Sequence, residues 1–222
     1  MGYPPVTANI SNNIGLVFGA ISGTWGYRAE LRGQRPTLRR LVPMSFTGAV
    51  IGALALLWLP SKAFEAIVPV LIGLSVLLVV LQPRLSATMA RRRATQPELP
   101  PDHVHVGPVL LLGTAAAGVY GGYFGAAQGV MLMAVLGLVY DRDTQRSNAA
   151  KNLCGGAANI AAAVVFAIAG VVVWLAALAV ALGAIAGGYV GGRLARRLPK
   201  PVLRGLVVAV GVGATLYLVA RR

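Results

Sequence analysis

A small group of polar side chains lies inside an otherwise apolar stretch of the sequence. Asn148, Lys151 and Asn152 have the i, i+3 and i, i+4 spacing that places side chains on one face of a helix. Their amide N–H groups and the ammonium group could coordinate an oxyanion, and an adjacent helix N-terminus would add partial positive charge. The alternative interpretation is that these residues cap a helix and that Lys151 extends to the membrane interface.

A second polar group, Asn9, Asn12 and Asn13, lies near the start of the chain. It contains no lysine, so a site built from both groups would hold one cation and several neutral amide donors. Such a site suits a mono- or dianion. The alternative for this group is an asparagine-rich cap beside a turn.

Five glycines within twelve residues interrupt the apolar stretch that precedes Asn148: Gly118, Gly121, Gly122, Gly125 and Gly129. Glycine lets backbone N–H groups face a ligand, so we predict that Gly121, Gly122 and Gly125 form an unwound bend with Gln128. Close helix packing through small residues is the competing interpretation. The stretch is not a P-loop, since it lacks the GK[ST] ending.

The composition is that of an integral membrane protein, with 57% hydrophobic residues, 12% charged residues and a mean hydropathy of +0.73. A soluble domain carries roughly twice that charged fraction. Several apolar runs reach the ~20 residues that a helix needs to cross a bilayer. The sequence therefore predicts an all-α fold, a polytopic bundle of transmembrane helices.

The net charge of +14 comes from basic residues that lie between the apolar runs. This distribution is typical of cytoplasmic loops, and it does not indicate a nucleic-acid partner. We interpret the arginine-rich segments as solvated loops, with contact to lipid headgroups as the alternative.

Few residues are suited to catalysis or metal binding. The single cysteine, Cys154, excludes an internal disulfide, and His103 and His105 lie in a proline-rich segment without a cysteine or carboxylate cluster. No acid/base pair or nucleophile triad is visible among the six acidic residues. We therefore expect no metal, no cofactor and no enzymatic activity.

Hydropathy predicts six apolar spans and one interrupted segment. The spans are 9–27, 43–59, 64–82, 148–169, 171–192 and 201–220. The interrupted segment, 107–140, is divided by the glycines into pieces of about 14 residues, each covering about two-thirds of the hydrocarbon core. We expect two short helices in a re-entrant hairpin; two tilted crossings are the alternative.

The two halves of the chain align with each other when one is shifted by 139 positions. Asn9 then matches Asn148, Asn13 matches Asn152, and Gly48 matches Gly187. If 107–140 is a hairpin, the loops at 28–42, 83–106, 140–151 and 192–204 are all cytoplasmic and hold every lysine and arginine except Lys62, Arg221 and Arg222. The second half then enters the membrane from the side opposite to the first.

This pattern predicts an inverted repeat, as found in many secondary transporters. The predicted units are a first transmembrane repeat at 1–82, a cytoplasmic basic linker at 83–106 and a second repeat at 107–222. No hairpin precedes the first repeat in this sequence. We expect a start codon assigned too late, with a genuine short form as the alternative.

The chain resembles the TauE/SafE family of sulfite and organosulfonate exporters over essentially its whole length. The resemblance lies in GYPPVTANISN at 2–12, GTWGYRAELRGQ from Gly23, an LP turn before Phe64, a PVLI segment that ends in LQPRLS, YGGYFGAAQG at 120–129 and SNAAKNL at 147–153. Family members ordinarily begin with a further glycine-containing hydrophobic segment, which this sequence lacks.

The resemblance implies a secondary transporter, an exporter of small sulfur-containing anions, in the cell membrane. Its implied partners are the anionic substrate, the lipid bilayer, a coupling proton or ion, and further copies of the chain. The alternatives are an anion channel of the same architecture and a non-transporting membrane subunit or assembly factor.

Overall fold

The computed structural model describes residues 4–95, 106–139, 144–170 and 172–195, together with Ala209 and Gly213. All secondary-structure elements in these ranges are helices, which confirms the predicted all-α fold. They are α1 (Pro5–Gly26), α2 (Arg35–Trp58), α3 (Ser61–Thr95), α4 (Pro108–Tyr123), α5 (Gln128–Val139), α6 (Thr144–Ala169) and α7 (Trp174–Ala195).

Three helices in the described ranges are long and apolar enough to cross a membrane: Arg35–Trp58, Ser61–Leu81 and Gln145–Ala169. Helix α1 has 22 residues, but its early asparagines lower its hydropathy. Large apolar side chains remain exposed on the outer surface; Trp58 and Ile168 are each 82% exposed. Lipid contact gives these side chains an apolar environment, as expected of a membrane protein.

Helices α4 and α5 form an antiparallel pair joined by a short break at 124–127. A Cβ atom at Gly113 would lie 2.8 Å from Val135 Cγ1, and one at Gly121 would collide with the side chain of Gln128. The first contact pairs an early residue of α4 with a late residue of α5, and the second pairs a late residue of α4 with the first residue of α5, so the chain turns back on itself. At 16 and 12 residues, each helix is shorter than the ~20 residues of a full span. The prediction of two short helices is confirmed.

Helices α2 and α4 pack backbone against backbone through two pairs of glycines. A Cβ atom at Gly48 or Gly52 would collide with the carbonyl groups of Ala115 or Val119 on α4. In the same way, Gly118 lies against the Ser45 carbonyl of α2, and Gly122 against the Ala49 carbonyl. Small residues allow this approach, which is typical of packed membrane helices.

Helix α1 contacts both α6 and α7, and polar bonds fix its position. The Ser11 hydroxyl accepts a hydrogen bond from the backbone N–H of Val173 at 3.1 Å, just before α7 begins. The buried Ser45 hydroxyl of α2 donates to the Cys154 carbonyl of α6 at 2.8 Å. These bonds hold α1 and α6, the helices that carry the predicted polar groups, within the bundle.

Helices α2 and α3 extend furthest beyond the spans that hydropathy predicts. Helix α2 begins at Arg35, two turns before the predicted span, and α3 continues through Pro83 to Thr95. Arginine, alanine, leucine and methionine in these extensions are good helix formers, so the helices continue into water. Residues 201–220 lie outside the described ranges except for Ala209 and Gly213, as do His103 and His105, and the inverted repeat stays a prediction.

Candidate functional site

A cavity of about 480 Å³ lies between α1, α6 and the break that joins α4 to α5. Its polar wall contains one ammonium group and six carboxamides, and the remaining wall is formed by glycines, alanines and a few larger apolar side chains. The polar side chains are Asn9, Asn12, Asn13, Gln128, Lys151, Asn152 and Asn159.

The cavity wall is positively charged. Lys151 is the one charged side chain in it, and none of the described residues that line it is acidic. Carboxamides can donate hydrogen bonds as well as accept them. The ammonium group of Lys151 would therefore attract an anion in the cavity. It would repel a cation, and none of the described lining residues has a carboxylate to offset that repulsion.

The break between α4 and α5 brings a helix N-terminus to the cavity. Gly125 and Ala127 have left-handed backbone conformations, with φ angles of 82° and 60°. These conformations end α4 and redirect the chain so that α5 begins at Gln128 on the cavity wall. The partial positive charge at the first turn of α5 adds to the charge of Lys151.

Two carboxamides of the cavity are buried with hydrogen-bonding capacity left over. Asn13 and Gln128 are each 6% exposed. Asn13 Oδ1 and Gln128 Nε2 have no hydrogen-bond partner among the described residues. Because an unpaired buried polar atom costs about 1–3 kcal/mol, both atoms favour a polar ligand in the cavity.

Lys151 and Asn152 reach the cavity past glycines. A Cβ atom at Gly129 would lie 3.7 Å from Lys151 Cδ, so the lysine stem runs beside the start of α5. A Cβ atom at Gly23 on α1 would lie 3.9 Å from Asn152 Nδ2. The absence of side chains at these glycines leaves the space that the two polar side chains occupy.

Hydrogen bonds from α1 and α3 hold the break in place. Asn9 Nδ2 donates to the Tyr123 carbonyl at the end of α4, at 3.1 Å. The Ser75 hydroxyl of α3 lies 2.7 Å from the Tyr120 hydroxyl and 3.3 Å from the Ala126 carbonyl. Asn9 therefore lines the cavity and also positions the backbone that forms it.

A family model described as sulfite exporter TauE/SafE matches residues 1–218 of the 222-residue chain. The chain belongs to the TauE/SafE family. Membership implies a membrane transporter of sulfite-type anions. No curated protein and no solved structure matches the chain significantly.

The structure brings together most of the site residues that the sequence of this TauE/SafE chain suggests. Seven of them line the cavity: Asn9, Asn12, Asn13, Gly125, Gln128, Lys151 and Asn152. Three do not. Gly121 makes room for the Gln128 side chain, Gly122 packs against α2, and Asn148 lies outside the cavity wall. The helix-packing interpretation therefore applies to Gly122, and the bend interpretation to Gly125.

Sequence reasoning missed Asn159 and the glycines that surround the cavity. Asn159 lies two helical turns after Asn152, and an asparagine in so apolar a span was a usable signal. The missed glycines are Gly19, Gly23, Gly129, Gly155 and Gly156. Gly129 belongs to the glycine cluster noted in the sequence, but no local signal in the sequence shows that these glycines face a cavity.

Proposed function

We propose that the protein is a secondary transporter that exports small sulfur-containing anions, such as sulfite or organosulfonates, across the cell membrane. The observation that carries this proposal is the cavity itself, which combines one lysine, six carboxamides and a helix N-terminus with no acidic side chain among the described residues of its wall. The cavity lies between α1, α6 and the hairpin tip, which is the break at 124–127 between α4 and α5. Secondary transporters with broken helices bind their substrates beside such breaks.

In this proposal the ammonium of Lys151 and the amide N–H groups of Asn13, Gln128 and Asn152 donate hydrogen bonds to the oxygens of the anion. Hydrogen bonds to a charged acceptor are stronger than neutral ones, and the bond from Gln128 would also satisfy its buried, unpaired Nε2. Leu16, Phe124 and Leu132 provide an apolar wall that would accommodate the carbon chain of an organosulfonate.

Transport requires the cavity to open alternately to the two sides of the membrane. The hydrogen bond from Asn9 of α1 to the Tyr123 carbonyl is a contact that such a movement would break and reform. Coupling to a proton or another ion would give the export its direction.

Flux in reconstituted vesicles tests this proposal. We expect sulfite efflux that saturates with concentration, and counterflow when unlabelled sulfite is present on the opposite side. Flux that neither saturates nor shows counterflow would indicate a channel. No flux, together with a stable co-purifying partner, would indicate a non-transporting subunit.

A further inference from the structure

A second cavity, of about 540 Å³, lies where α1 leads into α2. Four arginines form one part of its wall, and apolar side chains form the rest. The lining residues are Arg28, Leu31, Arg32, Arg35, Leu38, Arg39, Val42, Pro43 and Leu153. This basic groove is separate from the polar cavity described above and shares no residue with it.

The face of α2 in the groove changes from basic to apolar along the helix. Arg35, Leu38, Arg39, Val42 and Pro43 follow the i, i+3, i+4, i+7, i+8 spacing of a single helix face. From Arg35 to Pro43 the helix rises about 12 Å. The arginines therefore lie at the outer end of the groove, and Val42 and Pro43 lie deeper along the membrane span.

The outer end of the groove lies at a membrane interface. Arg28 packs over the ring of Trp25, with its guanidinium carbon 5.4 Å from the ring centroid, and Trp25 is 70% exposed. Exposed tryptophans at helix ends are typical of the headgroup level. The positive-inside rule places this arginine-rich end on the cytoplasmic side, where anionic lipids are enriched.

Among the described residues, no carboxylate lines the groove to balance the charge of the arginines. The acidic residues in the described ranges are Glu30 and Glu65, and neither lines it. Guanidinium groups bind phosphate oxygens through two parallel hydrogen bonds, so a cluster of four arginines suits a phosphate ester.

We propose that the basic groove binds an anionic phospholipid from the cytoplasmic leaflet. The arginines hold the phosphate of the headgroup, and an acyl chain lies along Leu38, Val42 and Leu153. A free phosphate would leave this apolar half of the groove without a partner, which is why the observations favour a lipid.

Native mass spectrometry of the full chain in detergent, titrated with phosphatidylglycerol, tests this proposal. We expect Arg35→Gln with Arg39→Gln to raise the Kd for phosphatidylglycerol about 30-fold. The matched control is Arg40→Gln with Arg84→Gln, which removes the same charge from exposed positions outside the groove. The control should bind as the wild type does.

Three results would overturn the proposal. Equal loss of binding in both double variants would show that only overall charge matters. Equal affinity for phosphatidylcholine of the same chain length would show that the groove does not select an anionic headgroup. Displacement of the lipid by inorganic phosphate, with no dependence on acyl chain length, would assign the arginines to a soluble anion.

Discussion

Gln128 and Asn13 supply the two most deeply buried carboxamides of the polar cavity, and each leaves one polar atom without a partner in the described structure. Gln128 also occupies the first position of α5, where the helix dipole favours an anion. A hydrogen bond from this side chain would therefore act in the same direction as the ammonium of Lys151.

Replacing Gln128 by methionine keeps the side-chain volume but removes the amide. We expect the KM for sulfite flux in vesicles to rise about tenfold or more, because a hydrogen bond to a charged group contributes about 1.5–3 kcal/mol. Asn148→Ala should leave the KM unchanged, because Asn148 lies outside the cavity wall. Similar changes in the two variants would contradict this assignment.

At the residue scale, the sequence identifies polar groups but not their partners. Lys151 and Asn13 are recognisable because they interrupt apolar runs. The bond from Asn9 to the Tyr123 carbonyl joins residues 114 positions apart, and no local pattern specifies it. For the same reason Ser75, which supports the break from α3, could not be identified in advance.

The packing of α2 against α4 is the contact that positions the hairpin. Gly48, Gly52, Gly118 and Gly122 each face a backbone carbonyl of the opposite helix, and a carbonyl cannot rotate away as a flexible side chain can. The close contact between α2 and α4 therefore helps to position the break between α4 and α5, together with the hydrogen bonds from Asn9 and Ser75.

Gly122→Ala should separate α2 from α4 and destabilise the protein by at least the 1–3 kcal/mol typical of overpacking. Thermal unfolding in detergent measures the effect. The matched control is Gly73→Ala on α3, where an added Cβ meets no atom within 4 Å. The control should melt at the wild-type temperature or slightly above it, since alanine favours a helix over glycine. Equal melting temperatures for the two variants would exclude close packing at Gly122.

At the element scale, the sequence predicts the break well and the helix ends less well. Clustered glycines and short apolar pieces are local signals, and they locate the division between α4 and α5. The start of α2 at Arg35 and the extension of α3 to Thr95 follow from helix propensity, which a hydropathy profile does not measure.

On the scale of the whole molecule, the structure combines an apolar outer surface with a polar interior. Exposed Trp58 and Ile168 contrast with the buried Asn13 and Gln128. Soluble proteins have the opposite distribution, with polar side chains outside and apolar side chains inside. A polar interior is what a solute pathway through a membrane requires. The composition already predicts it, because few charges and many apolar runs leave polar groups only for loops and for the interior.

The proposed inverted repeat relates α1 to α6. Two of its matched pairs, Asn12 with Lys151 and Asn13 with Asn152, line the same cavity, which supports a site formed between two related halves. In the third matched pair, Asn9 lines the cavity but Asn148 does not. The two halves would thus contribute unequally to binding, with the charge supplied by the second.

Direct titration of sulfite into the purified protein tests most simply whether the polar cavity is the anion site. We predict that wild-type protein and Lys62→Gln bind sulfite with the same Kd, since Lys62 is exposed and lies outside the cavity. Lys151→Gln should bind at least tenfold more weakly, because it loses a charge-assisted hydrogen bond. Binding by Lys151→Gln with the wild-type Kd would contradict the account and place the anion elsewhere.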